Sequence, residues 1–269
     1  MVYILGLILL LLLYMRIEAG WLKVEHMTVE CPRSFSVAII SDLHPGLCRV
    51  PVLKVMNILS REKPDIFLFL GDAIDKEKEL EKAVQWLGKC SSGIPSYAVL
   101  GNHDHRFFNK NPCAKARYRQ ALQNVGITLL IDQNITIKVR SFNLQLTGLD
   151  DYQHHKNTFP EGKEKSTDCN DFHLLLTHNP QRLAELPIAF ADFAVAGHFH
   201  GGQIWMPFGL EFKLFRKESL GKKGIRRGFH VVNGTPMYLS RGIGNVVVPL
   251  RLGARPEITF LHFGKLNNE

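Results

Sequence analysis

Short apolar runs, each cut off by a cluster of polar residues, repeat along the first half of the chain. Residues 36–40 run into Asp42-Leu43-His44, residues 66–70 into Gly71-Asp72, and residues 97–100 into Gly101-Asn102-His103-Asp104. Amphipathic windows lie between and after them. Residues 52–61 place Val52, Val55, Met56 and Leu59 on one helical face, and residues 77–87 do the same with Leu80, Val84 and Leu87. Residues 114–125 predict a third helix, ended by Gly126. Asp42 to Asp72 and Asp72 to Asn102 are each 30 residues, the length of one strand-helix-strand unit. Period-two alternation then takes over in residues 128–131, 135–139 and 144–146, which predicts a second sheet. Runs at 172–176, 193–196, 231–232, 237–239 and 258–263 complete it. The expectation is an α/β fold with a two-layer β-sandwich core flanked by helices. Parallel strands present functional groups at their carboxyl ends. The runs at 172–176 and 193–196 end in Thr177-His178 and in Gly197-His198-Phe199-His200-Gly201-Gly202-Gln203. Asp, Asn and His meeting at one sheet edge predict a metal site, with two ions.

The order DxH, GDxxD, GNHD, TH, GHxHGGQ resembles the calcineurin-like metallophosphoesterase superfamily over about residues 36 to 263. The GGQ, and Ser240-Arg241-Gly242-Ile243-Gly244 before Arg255-Pro256-Glu257-Ile258, resemble its bacterial membrane-associated phosphodiesterase branch. That branch includes enzymes that split UDP-2,3-diacylglucosamine. The resemblance implies that Asp42, His44 and His200 hold one metal, Asn102, His178 and His198 the other, and that Asp72 bridges them. It makes His103 a general acid and Asp75 the carboxylate that orients it, with Asp104 behind them. The expected activity is phosphodiester or pyrophosphate hydrolysis, on a lipid-linked substrate such as UDP-2,3-diacylglucosamine. Two cations share a hydroxide and clamp the phosphate. Hard oxygens with imidazoles suit Mn, Fe or Zn, with Mn favoured. The alternatives are a phosphodiesterase or nuclease on soluble substrates, and a metal-binding scaffold without catalysis. The intact ligand set, with His103 and Asp75 both present, argues against the scaffold.

Several residues carry weaker expectations. An extended His198-Phe199-His200 would turn both histidines one way and Phe199 the other, into packing. The family often has Thr at that middle position. Gly201 and Gly202 are expected to let backbone approach the metals or substrate. His105 is evenly balanced between substrate contact and a solvated loop. Asp150-Asp151 reads as turn chemistry, and His154-His155 as surface in a polar loop spanning 150–170.

Composition narrows the partners. With 269 residues, 45% hydrophobic and 22% charged, this is an ordinary globular chain. Its net charge of +8 draws it towards phosphorylated substrates, anionic lipid or nucleic acid. No stacking-platform motif favours nucleic acid, and a monomer is expected. Five irregularly spaced cysteines without CxxC argue against a disulfide framework or a zinc-cysteine site. Residues 2–15 are uncharged and mostly Leu and Ile. Extended through Trp21 and Leu22, with Arg16 and Glu18 at the interface, they predict an uncleaved membrane anchor. Arg16 and Lys23 after the run then put the catalytic part in the cytoplasm. The expected division is an anchor at 1–22, a connector at 23–35 and a catalytic domain at 36–269. Trp205, Met206, Phe208, Leu210, Phe212, Leu214 and Phe215 interleave with Lys213, Arg216, Lys217, Lys222, Lys223, Arg226 and Arg227. That segment suits a membrane surface or acyl-bearing substrate, or equally a hairpin whose apolar face joins the core.

Overall fold

Alternation within single strands decides the layering. β2 (Phe35–Ile40) sends Val37 and Ile39 to one apolar cluster, and Ala38 and Ile40 to another. β3 (Ile66–Phe69) repeats this with Ile66 and Leu68 against Phe67 and Phe69. Both faces of this sheet must therefore be covered. In the computed structural model, which describes residues 2–151, 172–215 and 218–265, a second sheet covers one face and helices the other.

The first sheet has six strands, in the order β1 (Lys23–Glu30), β12 (Glu257–Gly264), β2, β3, β4 (Ser96–Ala98), β5 (Ile127–Leu129). The second has the order β10 (Gly228–Val232), β11 (Thr235–Leu239), β9 (Phe193–Ala196), β8 (Phe172–Leu176), β7 (Phe142–Gly148), β6 (Gln133–Val139). Each sheet is mixed. β2 through β5 run parallel, as do β7, β8, β9 and β11, while β12 is antiparallel to β2. Leu144, Leu146, Leu174, Leu176 and Val195 meet Val37, Ile39, Leu68 and Leu70 between the sheets. Burying each such side chain is worth about 1.5–3 kcal/mol, which lets strands as short as four residues hold. On the outer face of the first sheet lie α2 (Val52–Glu62), α3 (Glu77–Ser91) and α5 (Pro112–Asn124), with Val55, Leu59, Leu80, Leu87 and Leu122 inward. The expected two-layer core with flanking helices is what the protein forms.

Three elements differ from expectation. Residues 23–35 are not a connector. β1 pairs with β12 in parallel over eight residues. Its alternation is masked by charge, since Met27 and Val29 face the core among Lys23, Glu25 and Glu30. The GNHD motif opens a helix, α4 (Asn102–Lys110), whose N-terminus is closed by Asp104 reaching back to the Gly101 N–H. The N-terminal apolar run is α1 (Val2–Glu18), and every residue from Val2 to Tyr14 is exposed. Its root, however, is part of the domain. Met15, Glu18, Ala19 and Leu22 are buried, Arg251 N–H donates to Met15 O at 3.1 Å, and Ala254 N–H donates to Glu18 Oε1 at 3.0 Å. Glu18 therefore sits in the fold and not at a lipid interface. Among the described residues no helix is long and apolar enough to cross a membrane.

Candidate metal centre

The carboxyl ends of β2, β3, β8 and β9 meet at one edge of the sandwich, joined there by the α4 N-terminus that follows β4. Asp42, His44 and His200 bring one donor atom each within 4.8 Å of one another, and so do Asp72, His178 and His198. All six are buried. Asp72 Oδ2 lies 3.5 Å from His44 Nε2 and 3.3 Å from His178 Nε2, between the two groups. Asn102 Oδ1 is 3.2 Å from His178 Nε2. The seven residues taken as ligands are thus brought together, with Asp72 central.

The protons on the rings say what the centre can hold. Leu70 O accepts from His178 Nδ1 at 2.7 Å, and Glu218 Oε1 accepts from His198 Nε2 at 2.8 Å. Asp75 Oδ2 accepts from His44 Nδ1 at 2.7 Å. These partners can only accept, so in the neutral rings the proton sits on the outward nitrogen. The inward nitrogens are then lone-pair donors. His178 Nε2 and His198 Nδ1 face each other at 3.1 Å, and buried His44 Nε2 makes no hydrogen bond among the described residues. Ligand bonds of about 2.0–2.2 Å place neighbouring donors roughly 3–3.5 Å apart, which is the spacing found. The donor set fits divalent cations. Without them, protons supply the positive charge. Burial pulls the His44 imidazole down, but Asp72 and Asp75 outweigh it and lift it to about 10. Burial likewise opposes, and Asp72 overcomes, in lifting His178 to about 10. Burial pushes the Asp75 carboxyl up, but His103 and His44 hold it well below the usual range.

Backbone fixes the loops. The Asp104 carboxylate accepts N–H groups from Asp72, Ala73, Ile74 and Gly101, all at 2.8–2.9 Å. One buried side chain thus ties GDAID to GNHD. Asp72 Oδ1 accepts the His103 N–H at 2.9 Å, and a Cβ on Gly101 would collide with Asp72. Asp42, His44, Asp72, His198 and His200 all have positive φ, 39° to 77°. Such non-glycine conformations are sparsely populated and collect at functional sites.

His103 Nδ1 contacts Asp75 Oδ1, so Asp75 grips His103 and His44 together. His103 lines a cavity of about 400 Å³ with Asp72, Asn102, His198 and His200. Gln203, Ile204, Met206, Glu211, Val246, Val247 and Val248 line it as well.

Other expectations shift. His198-Phe199-His200 is a turn, not an extended segment: β9 ends at Ala196, and Phe199 is helical with φ −87° and ψ −9°. Positive φ at both histidines achieves the outcome expected of alternation, and Phe199 is fully buried against Phe212. Gly202 lines the cavity, and a Cβ there would meet Phe212 and Glu211. His105 is buried and bonds Asp150 Oδ1 at 2.5 Å, so it is neither solvated nor aimed at substrate. Asp150 and Asp151 are buried as well. His154-His155 lie outside the described residues. Three supports were not foreseen: Glu218, Glu18 and Arg251. The Arg251 guanidinium, fully buried, donates to the carbonyls of Arg241, Gly242, Gly244 and Ala254. It thereby holds the SRGIG loop, whose Gly244 N–H donates to Asp42 O at 2.8 Å.

Residues 35–202 match the family of calcineurin-like phosphoesterases. The chain belongs to that family. It is 28% identical over 231 residues to the metallophosphoesterase YkoQ of Bacillus subtilis, covering 85% of this chain and 83% of that one. It is 26% identical over 254 residues to the phosphodiesterase YaeI of Escherichia coli, covering 91% and 89%. The NAD nucleotidase structure from Haemophilus influenzae superposes with a TM-score of 0.50 at 16% identity, over 79% of this chain and 45% of that one. That likeness concerns the fold. As a calcineurin-like phosphoesterase, the protein is a metal-dependent hydrolase of phosphoesters.

Proposed function

We propose that this phosphoesterase cleaves a phosphodiester or pyrophosphate bond in a lipid-linked substrate, with UDP-2,3-diacylglucosamine the leading candidate. Asp42, His44 and His200 would hold one divalent ion, Asn102, His178 and His198 a second, with Asp72 shared. Such ions, Mn above Fe or Zn, supply charge neutralisation and an activated water. The chain's own residues do the rest. Asp75 occupies His103 Nδ1, so Nε2 is the nitrogen left to give a proton to the leaving oxygen. The apolar wall excludes water beside the reacting phosphorus and strengthens every charge interaction there.

One observation carries the lipid reading: the cavity lined by Asp72, Asn102, His198 and His200 is lined also by Ile204, Met206 and three consecutive valines. Val247 of this lining is exposed, as are Trp205 and Phe208 beside Ile204 and Met206 in the chain. An acyl chain buried against such a lining gains about 25 cal/mol per Å², and it offers more apolar area than a soluble nucleotide does. The exposed length of α1 supports membrane attachment, held through its root to the loop that carries the valines. We place the catalytic part on the cytoplasmic side, following Arg16 and Lys23. The decisive test compares UDP-2,3-diacylglucosamine, its deacylated counterpart and an aryl phosphodiester on purified protein. Strong preference for the acylated substrate supports the reading. Equal kcat/KM with and without acyl chains sinks it in favour of a phosphodiesterase for soluble substrates.

A further inference from the structure

His198 is held from outside the family motifs. Its Nε2 bonds Glu218, and both side chains are about nine-tenths buried, at 7% and 10% exposure. Glu218 precedes α7 (Ser219–Lys222), a short helix in the basic-aromatic segment. Its placement is built from two directions. Ser219 Oγ and Leu220 N–H both bond Gln181 Oε1, at 3.2 and 3.3 Å. Gln181 N–H in turn bonds Asn179, the residue after the ligand His178. From the other side Phe199, the residue between the two ligand histidines, meets the Phe212 ring edge-on at 5.5 Å. Phe212 sits on α6 (Leu210–Phe215), and a Cβ on Gly221 of α7 would meet its ring. Phe199, Phe212 and Leu220 belong to one buried cluster.

We propose that Glu218 is a positioning residue for the second metal: it fixes the ring of His198 and the nitrogen that carries its proton. A carboxylate only accepts, so it keeps the proton on Nε2 and leaves Nδ1 as a lone pair 3.1 Å from His178 Nε2, in the cluster that includes Asp72. Released from Glu218, the ring can take the other tautomer or rotate, and a donor is lost. Carboxylate partners of ligating histidines are worth roughly 10–100-fold in metal affinity. The segment from 205 to 227 is then more than a surface. Phe199 clamps it, and it returns the carboxylate that orients the neighbouring histidine. The assignment rests on the two-ion reading above.

The test is Mn²⁺ titration of chelator-stripped full-length protein, by calorimetry and elemental analysis, with unfolding in chelator as the folding control. Glu218→Ala should still bind one ion as wild type does and bind the other roughly 10–100-fold more weakly. The paramagnetic resonance of a coupled Mn pair should then give way to that of isolated Mn at ion levels that saturate wild type. Glu218→Gln keeps an oxygen that accepts from Nε2 and should recover most of the affinity. Phe199→Ala should show a smaller loss in the same direction. If Glu218→Ala binds two ions as wild type does, or Glu218→Gln is no better than Ala, the assignment is wrong. Equal weakening of both ions would mark Glu218 as a structural residue. Wild type that takes up a single ion would overturn the two-ion reading itself, a different result from failure of Glu218 alone.

Discussion

The two halves of the metal centre are built by different means. The half delivered by β2, β3 and α4 is fixed by one buried carboxylate that gathers backbone N–H groups. Asp104 alone gathers four N–H groups, and Gly101 leaves room for nothing but hydrogen against Asp72. The half delivered after β8 and β9 is fixed by groups from far along the chain, Leu70 O behind His178 and Glu218 behind His198. Where one buried carboxylate ties several loops, its loss loosens them together. Where each ring has its own separate partner, the site can be weakened one contact at a time. Changes in the first half should therefore act all-or-none, and changes in the second should be graded.

Asp72→Asn should give the largest effect. Its Oδ2 serves both donor groups and its Oδ1 holds the His103 N–H. The amide keeps the shape but removes the charge that draws cations to the centre. Turnover of an aryl phosphodiester should be almost abolished, with fewer ions retained after gel filtration. Activity within tenfold of wild type would break the view that Asp72 is central.

His103→Ala comes next. The residue belongs to the same half, and its ring bonds Asp75, which is not one of the seven donors, so ions should stay bound while turnover falls by roughly 10²–10⁴-fold. A leaving group of low pKa needs little protonation. The loss should be smaller on an aryl diester than on an alkyl diester. Equal losses on both would assign His103 to holding phosphate rather than donating a proton.

What could be read along the chain follows the same division. The ligand loops after β2, β3 and β4 were legible because buried strands announce themselves as apolar runs and the 30-residue spacing sets their order. The edge strand β1 was not, because charged Lys23 and Glu25 fall on the same face as Met27 and Val29, and its pairing partner lies more than 200 residues away. The turn at His198 and His200 was not, because positive φ on a histidine is imposed by surroundings and runs against its local preference. Glu218, Arg251 and Glu18 were not, because each acts on a group distant in sequence, and an isolated Glu or Arg looks like any surface charge.

Dependence on pH gives a smaller and more continuous effect. In metal-free protein His44 and His178 are lifted to about 10, above the about 6.5 of an unfolded histidine. Their contribution is complete below about pH 6.5 and fades as pH rises towards 10. The depressed Asp75 carboxyl contributes above its unfolded value near 3.9 and is lost on acidification below that. Chelated protein should thus be most stable between about pH 4 and 6.5. Cations compete with the same histidine protons, so Mn²⁺ should bind more tightly as pH rises. The gap in melting temperature between Mn-loaded and chelated protein should widen from pH 6 to 9. A gap that narrows would mean that protons and ions do not share these nitrogens.

The smallest effect on catalysis is expected at α1, which repeats the contrast within one helix. Val2 to Tyr14 is exposed, while Met15, Glu18, Ala19 and Leu22 are buried in the domain. Removing residues 1–13 should leave turnover of a soluble diester within about twofold of wild type, because no contact to the Asp42 loop is lost. The same protein should leave the membrane fraction and bind vesicles only through its basic segment, where each cation contributes about 1 kcal/mol and salt screens it. Removing residues 1–22 is a different operation. It uncovers the space filled by Met15 and Leu22, each worth about 1.5–3 kcal/mol. It also strips the Ala254 N–H of Glu18 and the Arg251 N–H of Met15 O, beside the guanidinium that clamps the SRGIG loop against Asp42. Stability should fall by about 3 kcal/mol or more, and turnover should fall with it. Equal melting temperatures for the two truncations would show that the root of α1 is not part of the fold. A 1–13 deletion that stays with membranes at high salt would move the attachment from α1 to the exposed apolar residues Trp205, Phe208 and Val247.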